Sequence, residues 1–265
     1  PTHVRPALKN TPTNPPQKGP AMTDRMDAAT ARVMIWEELR KVARPDSRFS
    51  WDFAEFITDY EGSDAGAELL AGLDAYRDAK VLFVTPDNNL EFFRERVIRD
   101  GKTMIMTNYG ISRGFFIIRP GDVPEGKEEL ASTLDGVQRF WTHRTLAQLA
   151  DEVELVDLLI SGASAITPSG IRFGKGHGYF DLEWAMFYTK GLVDPERSVV
   201  VAAGHDCQVV DVPVAVRPYD TAIDIIVTPT QVIETRNEFT KPTGGVFWYL
   251  LEPDMLGRIP PLQEL

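Results

Sequence analysis

Three glycines alternate within five residues at Gly174-Lys175-Gly176-His177-Gly178, with a lysine and a histidine between them. Alternate residues without Cβ atoms let backbone N–H groups converge on one concavity. Arg172 precedes the run, and Tyr179-Phe180-Asp181 follows it where a helix is expected to begin. A helix start adds a positive dipole end, and Lys175 and Arg172 add mobile positive charge. Together these are the parts of a phosphate or carboxylate cradle. A tight hairpin would use glycines in the same way, so the pattern alone leaves both readings open. The spacing is not the dinucleotide fingerprint, and no Gly-Lys-Ser/Thr follows to make a P-loop.

A second candidate is the pair His205-Asp206, directly after the apolar run Val199–Ala203. Loops at the carboxyl ends of parallel strands carry the sites of doubly wound sheets. The pair reads as a general acid/base or a substrate-orienting couple; a histidine satisfied in the core at a strand end is the alternative. His177 and Asp181 are expected at the same edge. Asp181 suits magnesium or a helix cap, and Tyr179 suits stacking on a planar ligand or a place in the core. Trp184 reads as core, with Glu183 beside it at the helix start. The spacing of His177, His205 and Asp206 matches no short metal motif. No Gly-x-Ser-x-Gly elbow supports a serine triad.

The elements that must position these residues alternate. A helix is expected from Thr23 or Asp24 to about Val42, with Val33, Trp36 and Leu39 on its apolar stripe. Strands are expected at Lys80–Val84, Thr103–Thr107, Phe115–Ile118, Leu155–Ile160, Val199–Ala203 and Ile223–Val227. Helices are expected near Gly66–Arg77, Leu90–Arg99, Thr145–Asp151 and Leu182–Lys190. Strands that are apolar throughout, alternating with helices, predict an α/β fold: an open, mostly parallel sheet covered on both faces in three layers. Residues 1–22 hold six of the chain's 19 prolines and few large apolar residues. They are expected to be a disordered tail, leaving 23–265 as one domain.

The chain carries a formal net charge of −11. An acidic surface repels phosphate backbones, so nucleic acid is not the expected partner. No apolar run approaches the roughly 18 residues of a membrane span. Cys207 is the only cysteine, which excludes an internal disulfide and fits a reducing, cytoplasmic setting. The apolar stretches Val246–Leu251 and Met255–Leu262 are expected to pack on the core or on a second copy of the chain.

The run Arg172–Asp181 resembles the motif Arg-x-Gly-x-Gly-x-Gly-Tyr-x-Asp of the 5-formyltetrahydrofolate cyclo-ligase family. Downstream, Asp206-Cys207-Gln208, Val212-Pro213, Tyr219-Asp220 and Thr228-Pro229 follow the order of that family's remaining elements. The runs Gly174–Glu183 and His205–Asp211 resemble most the subgroup of methenyltetrahydrofolate synthase domain-containing proteins. The resemblance implies a fold shared with ribose-5-phosphate isomerase and CoA transferases. It further implies an ATP site with magnesium at the glycine loop, with Arg32 touching ATP, and a folate or related N-formyl heterocycle as the small-molecule substrate. Arg172, Gly174, Lys175, Gly176, Gly178 and Tyr179 would hold the nucleotide and Asp181 the metal. His205, Asp206, His177 and Tyr219 would serve catalysis, Tyr219 standing where the family commonly has histidine. Two positions depart from the family: Ala28 and Leu182 stand where basic residues are expected. ATP-independent hydrolysis or ring opening with His205 or His177 as base, and non-catalytic folate or nucleotide binding, are therefore alternatives on the same fold.

Overall fold

Short runs of branched and aromatic residues bury both faces and become strands, while longer stretches with helical periodicity cover them. The computed structural model describes residues 28–265 apart from 47, 50 and 237. The expected cap at Thr23 or Asp24 and the expected tail over residues 1–22 lie outside the described residues. In chain order the elements are α1 (Ala28–Leu39), α2 (Ser63–Ala71), α3 (Asp74–Asp78), β1 (Val81–Val84), α4 (Glu91–Arg99), β2 (Thr103–Thr107) and β3 (Phe115–Ile118). Then come α5 (Glu128–Ser132), α6 (Leu134–Phe140), β4 (Thr142–Arg144), α7 (Leu146–Glu152), β5 (Leu158–Gly162), β6 (Ala165–Ile166) and β7 (Arg172–Phe173). The chain continues through α8 (Tyr179–Thr189), β8 (Val199–Ala203), β9 (Ile225–Val227), β10 (Val232–Glu234) and α9 (Met255–Arg258).

The main sheet has the order β10-β9-β8-β5-β1-β2-β3-β4. Its centre, β9-β8-β5-β1-β2, is parallel throughout. Antiparallel strands close both sides: β10 on β9, and β3 on β2 with β4 on β3. Alternate residues of each central strand face opposite layers. Phe83, Ile105, Leu159, Val200 and Ile226 pack against α7 and α8. Leu82, Met104, Leu158, Val201 and Val227 pack against α2, α4 and α6. The α/β architecture is therefore the expected three-layer, mostly parallel one.

Some elements differ from the sequence expectation. The helix expected over Gly66–Arg77 is two, because the chain turns at Gly72 and Leu73 takes an extended conformation. Residues 142–144, where no strand is expected, form β4, in which His143 pairs with Phe116. β10, Val-Ile-Glu, is also unexpected, because three residues are too few to set a strand period.

Two devices aim the loops at the sheet's carboxyl edge. Arg94 is fully buried, and its guanidinium donates to the carbonyls of Thr85, Asp87 and Ser132 at 2.7–3.0 Å. That fixes the chain leaving β1. Arg32 of α1 donates through Nε to the Gly174 carbonyl at 2.7 Å, tying the first helix to the glycine loop. In the apolar C-terminal stretch, Val246, Met255, Ile259 and Leu262 join the core beside α8, while Trp248, Tyr249, Leu250 and Leu256 stay exposed.

Phe83 is wholly buried and meets Phe187 edge-on at 5.1 Å between ring centroids, joining sheet to α8. Phe83→Ala is expected to lower unfolding free energy by about 3–5 kcal/mol. The check is a denaturant titration in which the midpoint falls and the slope is unchanged.

Candidate active site

The glycine loop connects β7 to α8 and requires glycine at two places. Gly176 has φ +114° and Gly178 φ +69°, conformations that side-chain-bearing residues rarely adopt. Gly178 is the residue that starts α8. Asp181 sits inside the first turn rather than capping it. Its Oδ1 instead accepts the backbone N–H of Thr221 at 2.8 Å, joining α8 to the segment before β9.

Beside this loop lies a cavity of about 740 Å³, within the range that holds small-molecule ligands. Its basic rim is Arg32, Arg172, Lys175 and Arg217, with Gly174, Gly176, His177, Gly178, Tyr179, Asp181, Tyr219 and Asp220 alongside. Thr85, Asp87, Thr107, Ser161 and Glu183 form a wall at the carboxyl ends of β1, β2 and β5. Ile111, Leu182, Ala185, Phe247, Leu251 and Met255 supply apolar surface.

Lys175 decides the electrostatics. Its ammonium lies 4.5 Å from the ring centroid of Tyr109 and 6.0 Å from that of Tyr179. Among the described residues it has these aromatic partners and no ion pair. Burial depresses its pKa, with Asp87 and Glu183 pulling it back up. Arg172 donates to the Gly162 carbonyl at 3.0 Å and stacks over Phe180 at 4.8 Å. His177 is exposed at the mouth and stacks on Tyr179 at 5.4 Å. Arg217 donates to the Tyr219 hydroxyl at 2.7 Å. Burial raises the Asp181 pKa against the pull of Arg172. Burial, with the nearby Asp181 charge, pushes Asp220 to about 6.

The structure does not bring His205 and Asp206 to this cavity. His205 accepts the Cys207 N–H through Nδ1 at 3.2 Å, capping a 3₁₀ turn at Asp206–Gln208, and its ring meets Tyr60 edge-on at 5.6 Å. Asp206 accepts the hydroxyls of Thr228 and Thr230, each at 2.6 Å, and so holds the β9–β10 turn. Both follow a strand end as expected, but local hydrogen bonds absorb their polar atoms. No cluster of three or more histidine, cysteine or acidic side chains suited to a metal occurs among the described residues.

Glu183 was missed as a site residue. Its side chain is 2% exposed, lines the cavity and accepts the Thr107 hydroxyl through Oε1 at 2.6 Å. Burial, reinforced by Asp87 and opposed by Thr107, Arg172 and Lys175, pushes its pKa up to about 8. The signal was present: Glu183 is a lone acid among Leu182, Trp184, Ala185, Met186 and Phe187, all buried.

A glycine-loop cavity thus lies at the carboxyl edge of an open α/β sheet, and among the described residues the Lys175 ammonium inside it has no ion pair. The chain belongs to the 5-formyltetrahydrofolate cyclo-ligase family, whose model matches residues 26–229. The methenyltetrahydrofolate synthase domain-containing protein of Bos taurus is 34% identical over 240 residues, covering 88% of this chain and 60% of that protein. The Mus musculus counterpart is 35% identical over 244 residues, covering 88% and 62%. The chain thus spans roughly three fifths of these relatives. The NMR structure of Aquifex aeolicus 5,10-methenyltetrahydrofolate synthetase is similar at 15% identity and TM-score 0.49, covering 80% of this chain and 94% of that one. At that level the likeness bears on neither substrate nor cofactor. Among the described residues no helix is long and apolar enough to cross a membrane.

Two outcomes test these assignments. Asp206→Ala is expected to cost about 1–3 kcal/mol of stability through its lost hydrogen bonds while changing ligand turnover only a few-fold; a hundredfold loss of turnover at equal folding returns Asp206 to the active site. For Glu183, the folded pKa lies above the ordinary 4.5. The native state therefore holds a proton that the unfolded chain releases, and stability falls as pH rises from about 4.5 toward 8. Glu183→Gln removes that fall. Its advantage in unfolding free energy over wild type, read from denaturant titrations, should grow between pH 5 and pH 8 by an amount on the order of a few kcal/mol. A constant difference across that range refutes the assignment.

Proposed function

We propose that this cavity binds a folate-type N-formyl heterocycle together with Mg-ATP and closes the ring in a cyclo-ligase reaction. The observation that carries the reading is Lys175, a partly desolvated ammonium with no carboxylate partner on a loop of three glycines. Such a group is stabilised when an anion arrives. The family supports the substrate class.

A formyl oxygen is a poor leaving group. Transfer of the ATP γ-phosphoryl to that oxygen, with ADP leaving, makes it a good one; the neighbouring side-chain amine nitrogen then attacks the same carbon, phosphate departs and the amine proton is lost as the new ring closes. Lys175 and Arg172 hold the charge that develops on the transferring group. The residues present fit magnesium when nucleotide oxygens complete its shell, because Asp181 and Asp220 lie close enough for one charge to disfavour the other. Magnesium would supply charge neutralisation between adjacent phosphates. Arg32 fastens the loop through the Gly174 carbonyl. Tyr179 and His177 form a stacked pair at the mouth, suited to a planar ligand.

A second reading, ATP-independent hydrolysis or ring opening, draws support from Leu182. This residue lines the cavity where the family often carries arginine. Of the histidines named for that reading, only His177 reaches the cavity.

Mg-ATP at 100 times its dissociation constant should stabilise the protein by about 2.7 kcal/mol. Lys175→Ala should abolish that shift and lower kcat/KM for 5-formyltetrahydrofolate, followed by methenyl absorbance, by about a hundredfold. Turnover without ATP selects the second reading. A shift without turnover selects binding alone.

A further inference from the structure

The geometry points to Glu183 as a specificity-determining residue of this cavity: its carboxyl, tethered by Thr107 through one oxygen, accepts from an N–H donor on the edge of the bound heterocycle. The inference rests on the heterocyclic substrate class proposed above.

The argument starts from which polar groups on that wall remain available. The Thr85 hydroxyl donates to Asp87 at 2.5 Å, and the Ser161 hydroxyl to the Gly162 carbonyl at 3.0 Å. The Asn108 amide donates to the Tyr109 carbonyl at 3.1 Å and the Ser112 hydroxyl at 2.8 Å. The Thr107 hydroxyl donates to Glu183 itself. Every hydrogen of these four side chains is engaged within the protein. Asp87 accepts through Oδ2 from both Thr85 and the Gly162 N–H. Glu183, among the described residues, has the Thr107 hydroxyl as its one hydrogen-bond partner, yet its side chain lines the cavity.

Stability gives no reason for a carboxyl there. Its helix neighbours Trp184, Met186 and Phe187 are wholly buried and apolar. A leucine at 183 would avoid the desolvation of a carboxyl, which one hydroxyl partner does not offset. With Oε1 held by the Thr107 hydroxyl, the carboxyl keeps acceptor positions toward the cavity, and a ring N–H or amino group is the donor that matches them. Leu182, Ala185 and Ile111 line the same cavity with apolar surface for the faces of a planar ring. A site that hydrogen-bonds a ring edge discriminates strongly, because a ligand lacking that edge leaves the buried group unpaired.

The test compares wild type, Glu183→Gln and Glu183→Leu in steady-state turnover of 5-formyltetrahydrofolate and in direct binding of a free pterin. Glu183→Gln keeps a carbonyl acceptor at the same reach and should hold KM and pterin affinity within about threefold. Glu183→Leu should raise KM and weaken pterin binding about tenfold or more, with kcat little changed. The Mg-ATP melting shift should persist in both variants, because the basic rim is intact. Both should melt at or above the wild-type temperature, and Thr107→Val, which removes the tether, should show a smaller loss in the same direction. Unchanged pterin binding by Glu183→Leu, or equal damage in Gln and Leu variants, overturns the inference. Failure of wild type to turn over 5-formyltetrahydrofolate counts against the proposed reaction instead, and pterin binding then decides this inference alone: selective loss in the Leu variant supports it, and no binding by wild type overturns it.

Discussion

A positive charge drawn out of water without a partner is unstable unless the surroundings repay it, and Lys175 is in that position. The aromatic faces of Tyr109 and Tyr179 recover part of the lost solvation; an arriving anion would recover more. The loop can hold the ammonium there only because Gly176 and Gly178 take backbone conformations closed to other residues. The Arg32 bond to Gly174 keeps the loop from opening outward. The affinity for negative charge proposed for this site would thus be prepared in the fold before any ligand binds.

The sheet explains why the wall opposite that charge is polar. Parallel strands end together, and the chain leaving each one must satisfy backbone groups that no longer have a ladder partner. At β1 this task falls to Arg94, which accounts for a fully buried guanidinium far from any phosphate-like role. At β5 it falls to Asp87, which accepts the Gly162 N–H. Once those needs are met, the strand ends present hydroxyls and carboxyls to the cavity in fixed directions. α8 completes the enclosure, buried along most of its length by Phe180 and residues 182–187.

The central strands were legible because an apolar run flanked by turn residues has few other uses. β4 and β10 were not, because each is a three-residue edge strand, Thr-His-Arg and Val-Ile-Glu, too short to set a period. The glycine loop could be read because positive φ restricts residue type. His205 and Asp206 show where that reasoning fails. Sequence adjacency to a strand end locates a residue at the edge, but a short polar side chain can turn back onto its own backbone or onto the next turn, and these two do. Glu183 shows the converse. An acid inside an otherwise apolar helix is informative for the very reason that periodicity places it in the core, and the helix-start reading obscured it. Asp181 was legible as a polar residue of the first turn, though not in its bond to Thr221, which depends on a segment 40 residues away.

The charges lining the cavity set a limit on its ligand. Four cations, Arg32, Arg172, Lys175 and Arg217, stand with five acids, Asp87, Asp181, Glu183, Asp220 and Glu252. Burial weakens the acidity of Asp181, Glu183 and Asp220, so the wall is less negative near neutral pH than the bare count implies. Two of the cations already serve protein carbonyls, Arg32 at Gly174 and Arg172 at Gly162. A polyphosphate would meet Lys175 as its strongest unpaired partner and would carry more negative charge than that lysine can balance. A divalent cation held by a carboxylate such as Asp181 would close that gap, and it would draw Asp181 and Asp220 back toward their ionised forms. With Leu182 and Ala28 lacking the charge expected at their positions, the proposed nucleotide would depend on Lys175 and that ion, and the same lack would make the cavity more tolerant of a ligand with a single negative group.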